Sequence, residues 1–539
     1  MKKYKKFLFG SLLLPLALTS CTTKDPSATT SGQVNSNNGS DTSVDPGQSS
    51  TSGENRKNEL SFHSITLNDI YYSQGTSRAP SIGKYKVLVL PIEFSDERFE
   101  ANYKENIKLA FEGSADKNAS NYTGYSESLK SFYQKSSYGK LELDFVYADK
   151  YDVGQTAKKW YQGGYSNAVS GGETSKDFGA NLLKKAYDQY VGSNQLDKDL
   201  DSDSDGYIDA TIMVYSTKDY SEDQSKTWDE DGYFWAYCYN ATAFESHEWA
   251  VNPDVSKPIP DNYMFLSYDM IYDKTDTSNN GKPKMDYHTV VHEYGHILGL
   301  DDYYGQAEDS YGNTYNPMGG VVMQDFNICD HDAFSKTQFG WTNYTYVTTS
   351  GEYKIKNLES SGETIIIPTS KSNGTLWDEY IQIELYSPTG LNELDSKTAY
   401  SYNKGLSTFG IKVYHIDNRL FYFDGEDETK YGYVDLLKDG FKPEDNYYYV
   451  GASNSQKLGA EYVPDEFNLC HLIQAGGEDT YCGDYATNAD LFQSNSTFDP
   501  LEFTNYFKDA KANNGATFNF KIEFTSVTSE EATIKVTFR

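Results

Sequence analysis

The sequence predicts an α+β domain with a mixed sheet, followed by a β-rich region. Two patterns carry that expectation. Up to about residue 345, short apolar runs that read as buried strands alternate with segments of helical periodicity. Beyond Trp341 the chain changes to turn-punctuated segments in which apolar residues recur at period two. The 539 residues, about three domains at roughly 150 each, are enough to bury full cores in both parts.

The chain begins with Lys2, Lys3, Lys5 and Lys6 ahead of an apolar stretch over 7–18, the layout of a signal peptide spanning 1–20. Leu18-Thr19-Ser20-Cys21 resembles the lipobox of bacterial lipoproteins, which implies cleavage before Cys21 and acylation of its thiol. Residues 21–58 are a tether of Ser, Thr, Gly, Asn and Asp without an aromatic side chain. No later apolar run reaches the roughly 20 residues of a transmembrane helix, so the expected location is extracellular, anchored by the lipid alone.

A first domain is expected over 59–345. Residues 86–94 read as a buried strand, 126–135 as an amphipathic helix, 141–147 as a strand, 177–190 as a helix and 208–215 as a second buried strand. A helix over about 285–298 and another near Ala333 complete it. The β-rich part, 346–539, is expected to be sandwich-like, with strands over 364–367, 380–385, 410–416 and 517–524. In the last of these Phe518, Phe520, Ile522 and Phe524 share one face.

Against 47 Lys plus Arg stand 79 Asp plus Glu, a formal charge of -32 that excludes a phosphate-tracking nucleic-acid binder. Cys238, Cys329, Cys470 and Cys482 allow three pairings, and Cys470 and Cys482 are close enough in sequence to bridge one loop. Four buried thiols are the competing reading.

The strongest chemical signal is His292-Glu293-Tyr294-Gly295-His296, continued to Asp301-Asp302. Residues four apart on a helix are separated by about 40° around the axis and about 6 Å along it, so His292 and His296 can aim at one ion. Glu293 can reach a water on that ion and act as general base, then acid. Gly299 can leave the helix in a left-handed conformation and bring Asp302 round as third ligand, with Asp301, Glu308 or a more distant Glu as alternatives. Two imidazoles and a carboxylate leave a fourth position open, the arrangement of a catalytic zinc. His288 lies on the same helical face, but it and His296 are about 12 Å apart along a straight helix. It is therefore expected near the site or at the surface rather than on the metal. Tyr303, Tyr304 and His331 are candidates for oxyanion stabilisation by sequence proximity only. Met318 and Met323 each offer a thioether for the turn that lies beneath the zinc in metzincins.

A second metal signal lies at 201–209, where Asp201, Asp203, Asp205 and Asp209 surround Gly206 in the spacing of an EF-hand-type calcium loop. The carbonyl of Tyr207 is the expected seventh-position ligand. Ile212 stands where the bidentate Glu would be, so any missing ligand must come from elsewhere, with Asp197 and Asp199 as candidates. The expected calcium is structural.

With these residues in view, the chain resembles the immune inhibitor A family of secreted bacterial zinc metallopeptidases, whose extended motif is HExxHxxGxxD. The similarity includes 87–96, 128–143, 201–215 and 317–341, with weaker echoes at 410–417, 472–480 and 490–498. It implies a metzincin-like zincin domain, Asp302 as third ligand, Met323 as the Met of the turn, and a calcium loop. Val321-Val322 and Asp301 depart from the family pattern at positions that are not ligands. The implied activity is endoproteolysis of protein or peptide substrates by a zinc-bearing, calcium-stabilised monomer. The alternatives are a non-catalytic surface lipoprotein or adhesin on the same scaffold, and a peptidase directed to glycoproteins by its C-terminal region.

Overall fold

The computed structural model describes residues 65–124, 126–157, 159, 175–194, 196–217, 236–243, 250, 252, 254–273, 284–305, 321–400, 404–427, 429–480 and 485–539. The expected signal peptide, Cys21, the tether, Glu308, Met318 and Cys482 lie outside these residues. Among the described residues no helix is long and apolar enough to cross a membrane.

The molecule is a mixed α and β structure with several sheets and few long helices. Helix α1 (Leu67–Gln74) starts at Thr66, whose hydroxyl and Asp69 form a reciprocal cap. Strand β1 (Gly83–Glu93) is central to the first sheet. Helices α2 (Tyr103–Glu112) and α3 (Leu129–Ser136) follow, then β2 (Leu141–Tyr147), α4 (Ser175–Ser193), β3 (Thr211–Tyr215), β4 (Tyr237–Asn240) and β5 (Asn262–Ser267). The strand order is β2-β1-β3-β5-β4, parallel except for β4, which runs antiparallel to β5 at the edge.

Both faces of this sheet are covered, which is why β1 reads as an unbroken apolar run. Val87 and Val89 pack with α2, α3 and the helix that carries His292 and His296, α5 (His288–Ile297). Leu88, Leu90 and Ile92 point the other way, against Leu182, Leu183 and Ala186 of α4.

Two expected elements differ. The run over 208–215 is broken, because Tyr207–Ile208 pairs with Ile259–Pro260 while Thr211–Tyr215 joins the main sheet. Between them Asp209 turns back, its N–H bonded to the Leu200 carbonyl at 2.8 Å. Helix α5 begins at His288 rather than near 285, since Met285 pairs with Tyr272 in a two-residue ladder and Asp286 accepts the His288 N–H at 3.0 Å.

Downstream come α6 (Met323–Phe326) and α7 (Ala333–Gln338), then β6 (Asn343–Tyr346), β7 (Gly351–Lys356), β8 (Glu363–Pro368), β9 (Glu379–Tyr386) and β10 (Gly410–Asp417). The remaining strands are β11 (Leu420–Asp424), β12 (Tyr431–Tyr433), β13 (Asn446–Val450), β14 (Cys470–Ile473), β15 (Ser496–Phe498), β16 (Phe520–Val527) and β17 (Glu531–Phe538). They form a five-stranded sheet β6-β8-β9-β10-β14, a four-stranded sheet β7-β17-β16-β15 and a three-stranded sheet β12-β11-β13.

The five- and four-stranded sheets share one core, in which Ile381, Ile383 and Val413 meet Phe520, Ile522 and Phe524. The opposite face of the five-stranded sheet is buried as well. Ile366, Tyr380 and Tyr414 pack there with Tyr303, Val322 and Phe334, so the sheet backs directly onto the loop that follows α5.

Candidate metal centre

Helix α5 brings His292 and His296 to one face, and the chain then reverses at Gly299, whose φ is +105°. A Cβ at Gly299 would lie 2.9 Å from both Leu67 and Tyr71, so close packing of α1 as well as backbone conformation requires glycine there. Three residues on, the carboxylate of Asp302 meets the two imidazoles. His292 Nε2 lies 3.1 Å from Asp302 Oδ1, His296 Nε2 lies 3.2 Å from the same oxygen, and the two Nε2 atoms are 3.2 Å apart.

That triangle is the expected footprint of a small cation. Ligands held at 2.0–2.1 Å around a tetrahedral zinc are separated by about 3.3 Å. Each Nδ1 faces a backbone carbonyl, His292 that of Met323 at 3.0 Å and His296 that of Leu300 at 2.8 Å. With the Nδ1 hydrogens donated there, both Nε2 atoms present lone pairs to the same point. His292, His296 and Asp302 are all buried and form one of the two groups among the described residues that can hold a metal ion. Burial pushes the Asp302 carboxyl up, but the neighbouring His296 and His292 outweigh it and hold its pKa well below the usual range.

Asp301 is turned away from this point. Its Oδ2 accepts from the Ser453 hydroxyl at 2.5 Å and its Oδ1 from the Asp302 N–H at 2.9 Å. Burial and the adjacent Asp302 push its pKa to about 6. Among the described residues no Glu joins the ligand group.

Glu293 is fully buried on α5, next to His292 in the chain. Met323 is buried in the core that also holds Val291 and Tyr294, and it touches the site through its carbonyl on His292. The candidates for oxyanion stabilisation are placed otherwise. The Tyr303 hydroxyl pairs with Ser335 Oγ at 2.9 Å, and the Tyr304 hydroxyl donates to Asp302 Oδ2 at 2.8 Å. His331 sits among Phe132, Tyr133, Phe339 and Trp341, with Nε2 3.3 Å from the Tyr133 hydroxyl. Burial, with Lys336 nearby, holds its imidazole well below its ordinary pKa.

His288 is neither a surface residue nor a member of the ligand group. It is buried between Asp286 (Nδ1 to Oδ1, 2.7 Å) and Asp395 (Nε2 to Oδ1, 2.9 Å), and stacks on Tyr287 and Tyr400. Burial alone would lower its pKa, but the two carboxylates raise it to about 10. Asp395 also accepts from the Cys329 N–H at 2.7 Å, an arrangement that no sequence signal announces, 107 residues from His288.

The second metal-capable group is Asp201, Asp203 and Asp209. Asp205 lies outside it and accepts the Tyr207 N–H at 2.7 Å, while its own N–H donates to Asp201 and Asp203. Ser204 and Gly206 take positive φ values of 62° and 91°, folding the loop so that its carboxylates turn inward. Burial first, and mutual repulsion after it, raise Asp201 to about 6, Asp205 to about 8 and, against the hydrogen bonds from Ser202, Asp209 to about 7. Asp197 and Asp199 are not members of this group. Both are drawn to Lys86, at 2.8 and 2.9 Å.

Cys238, Cys329 and Cys470 are buried free thiols, and Cys482, the expected partner of Cys470, lies outside the described residues. The geometry thus brings together a buried three-residue group that can hold a metal ion, with Glu293 next to His292 in the chain, and a separate acidic loop that can do the same. No family model matches the chain, and no curated protein matches it.

Proposed function

We propose that the protein is a zinc-dependent endopeptidase of metzincin-like architecture, related to the immune inhibitor A family. The observation that carries this reading is the convergence of His292 Nε2, His296 Nε2 and Asp302 Oδ1 on one point, with Glu293 buried on the same helix next to His292 in the chain. Two imidazoles and one carboxylate suit zinc, and three protein ligands leave a position open for reactants. Bound there, zinc supplies Lewis acidity that activates water and polarises a scissile carbonyl.

The protein's own groups do the rest. His292 and His296 are oriented by the Met323 and Leu300 carbonyls at Nδ1, which turns each Nε2 toward the metal. Glu293 takes a proton from the attacking water and returns it to the leaving amine, one carboxylate serving first as base and then as acid. Its full burial favours transfer over exchange with bulk solvent.

The substrates in this reading are proteins or peptides, hydrolysed by a monomer outside the cell and tethered through lipid on Cys21. Nucleic acid is not a partner. A structural calcium ion is held by Asp201, Asp203 and Asp209, with Asp205 shaping the loop and Tyr207 offering its carbonyl. The test of the metal is elemental analysis of the purified full chain. One zinc per chain in the parent and none in His296→Ala is expected; no zinc, or equal zinc in both, contradicts the assignment.

A further inference from the structure

Asp302 has two carboxylate oxygens, and only Oδ1 faces the imidazoles. Its partner, Oδ2, accepts the Tyr304 hydroxyl at 2.8 Å in a fully buried setting. A phenol two residues from the ligand thus occupies the oxygen that would otherwise be able to chelate, and it does so as a donor, which suits an ionised carboxylate.

The loop carrying both residues is tied down on either side. Ser453 holds Asp301, and the Asn454 amide donates to the Tyr303 carbonyl at 2.7 Å. The Tyr303 N–H donates to the Gln324 carbonyl at 2.8 Å. Asn454 is itself rooted in β14, donating to the Cys470 carbonyl at 2.7 Å and accepting the Cys470 N–H at 3.1 Å. Three successive residues, Asp301, Asp302 and Tyr303, are therefore placed by contacts from different elements, two of them from the β-rich region.

We propose that Tyr304 is a positioning residue that confines Asp302 to one-oxygen ligation, and that Ser453 and Asn454 hold the loop on which it acts. The inference rests on the zinc reading of the site. Removal of the Tyr304 hydroxyl takes this buried donor from Oδ2, so the carboxylate is held less firmly with Oδ1 toward the imidazoles. A partner of this kind around a metal ligand typically changes affinity by about 10- to 100-fold.

The test uses metal-free full-length parent, Tyr304→Phe and Ser453→Ala, titrated with zinc against a chromophoric chelator and with cobalt(II) read by visible absorption. Tyr304→Phe is expected to bind zinc about 10- to 100-fold more weakly and to show shifted cobalt bands, the signature of a changed coordination geometry. Its metal-free melting temperature should stay near the parent's, since the ring is kept. Ser453→Ala should weaken zinc binding in the same direction with the Tyr304 ring untouched. Parent-like affinity and cobalt spectrum in Tyr304→Phe overturn the inference and leave the zinc reading standing. An equal fall in melting temperature with and without zinc, at unchanged affinity, makes Tyr304 a packing residue and also overturns it. A parent that binds no zinc overturns the zinc reading itself, and this inference with it.

Discussion

His288 and His292 are one helical turn apart and chemically identical, yet their surroundings give them different work. His292 has a carbonyl on one nitrogen and Asp302 near the other, whereas His288 has a carboxylate on each. An imidazole raised to about 10 in the folded state, against about 6.5 unfolded, binds a proton more tightly when folded. Its contribution to stability is therefore complete below about pH 6.5 and is lost as pH rises toward 10. Denaturant unfolding of the parent should show stability declining across that window, and His288→Gln should flatten the decline; identical pH profiles would contradict the assignment. The convergence of His292, His296 and Asp302 was legible from sequence because these residues and Gly299 lie on one helix and one turn. The role of His288 was not, because Asp395 reaches it from a distant short helix, Glu393–Lys397.

The same distinction between local and distant causes governs the elements. Strand β2 and helix α7 follow from local pattern, and α7 starts where Asp332 accepts the Ser335 N–H at 2.9 Å. Asp332→Ala should destabilise the protein by about 1 kcal/mol in denaturant unfolding, within the range for a lost N-cap. The break in the 208–215 run was hidden, since the pairing of Tyr207–Ile208 with Ile259–Pro260 depends on residues some 50 positions away. That break is what frees Asp209 to join Asp201 and Asp203. Calcium at about 100 times its dissociation constant should stabilise the parent by about 2.7 kcal/mol, seen as a raised melting temperature. Asp203→Ala should lose that shift, and a parent indifferent to calcium would remove the ion from the account.

On the scale of the whole molecule, the sheet β6-β8-β9-β10-β14 works on both faces. Odd positions of β9, Ile381, Ile383 and Leu385, enter the core shared with the four-stranded sheet. Even positions turn to the opposite side, where the Gln382 amide donates to the Ala333 carbonyl at 3.0 Å and Glu384 accepts the Ala333 N–H at 2.7 Å. Period-two alternation in the sequence announced the first face. The second was not legible, because its residues are a mixture of tyrosines and charged groups that reads as solvent-facing until α7 and the metal loop cover it. A chain ending at residue 345 would uncover Tyr303, Val322 and Phe334, and it should show no cooperative melting transition by circular dichroism. The most direct measurement of the central claim is hydrolysis of casein by the parent, by the parent with chelator, and by Glu293→Gln loaded with zinc. Cleavage by the parent alone, abolished by chelator and by the substitution while zinc stays bound, is the predicted result. Undiminished cleavage by zinc-loaded Glu293→Gln would contradict it.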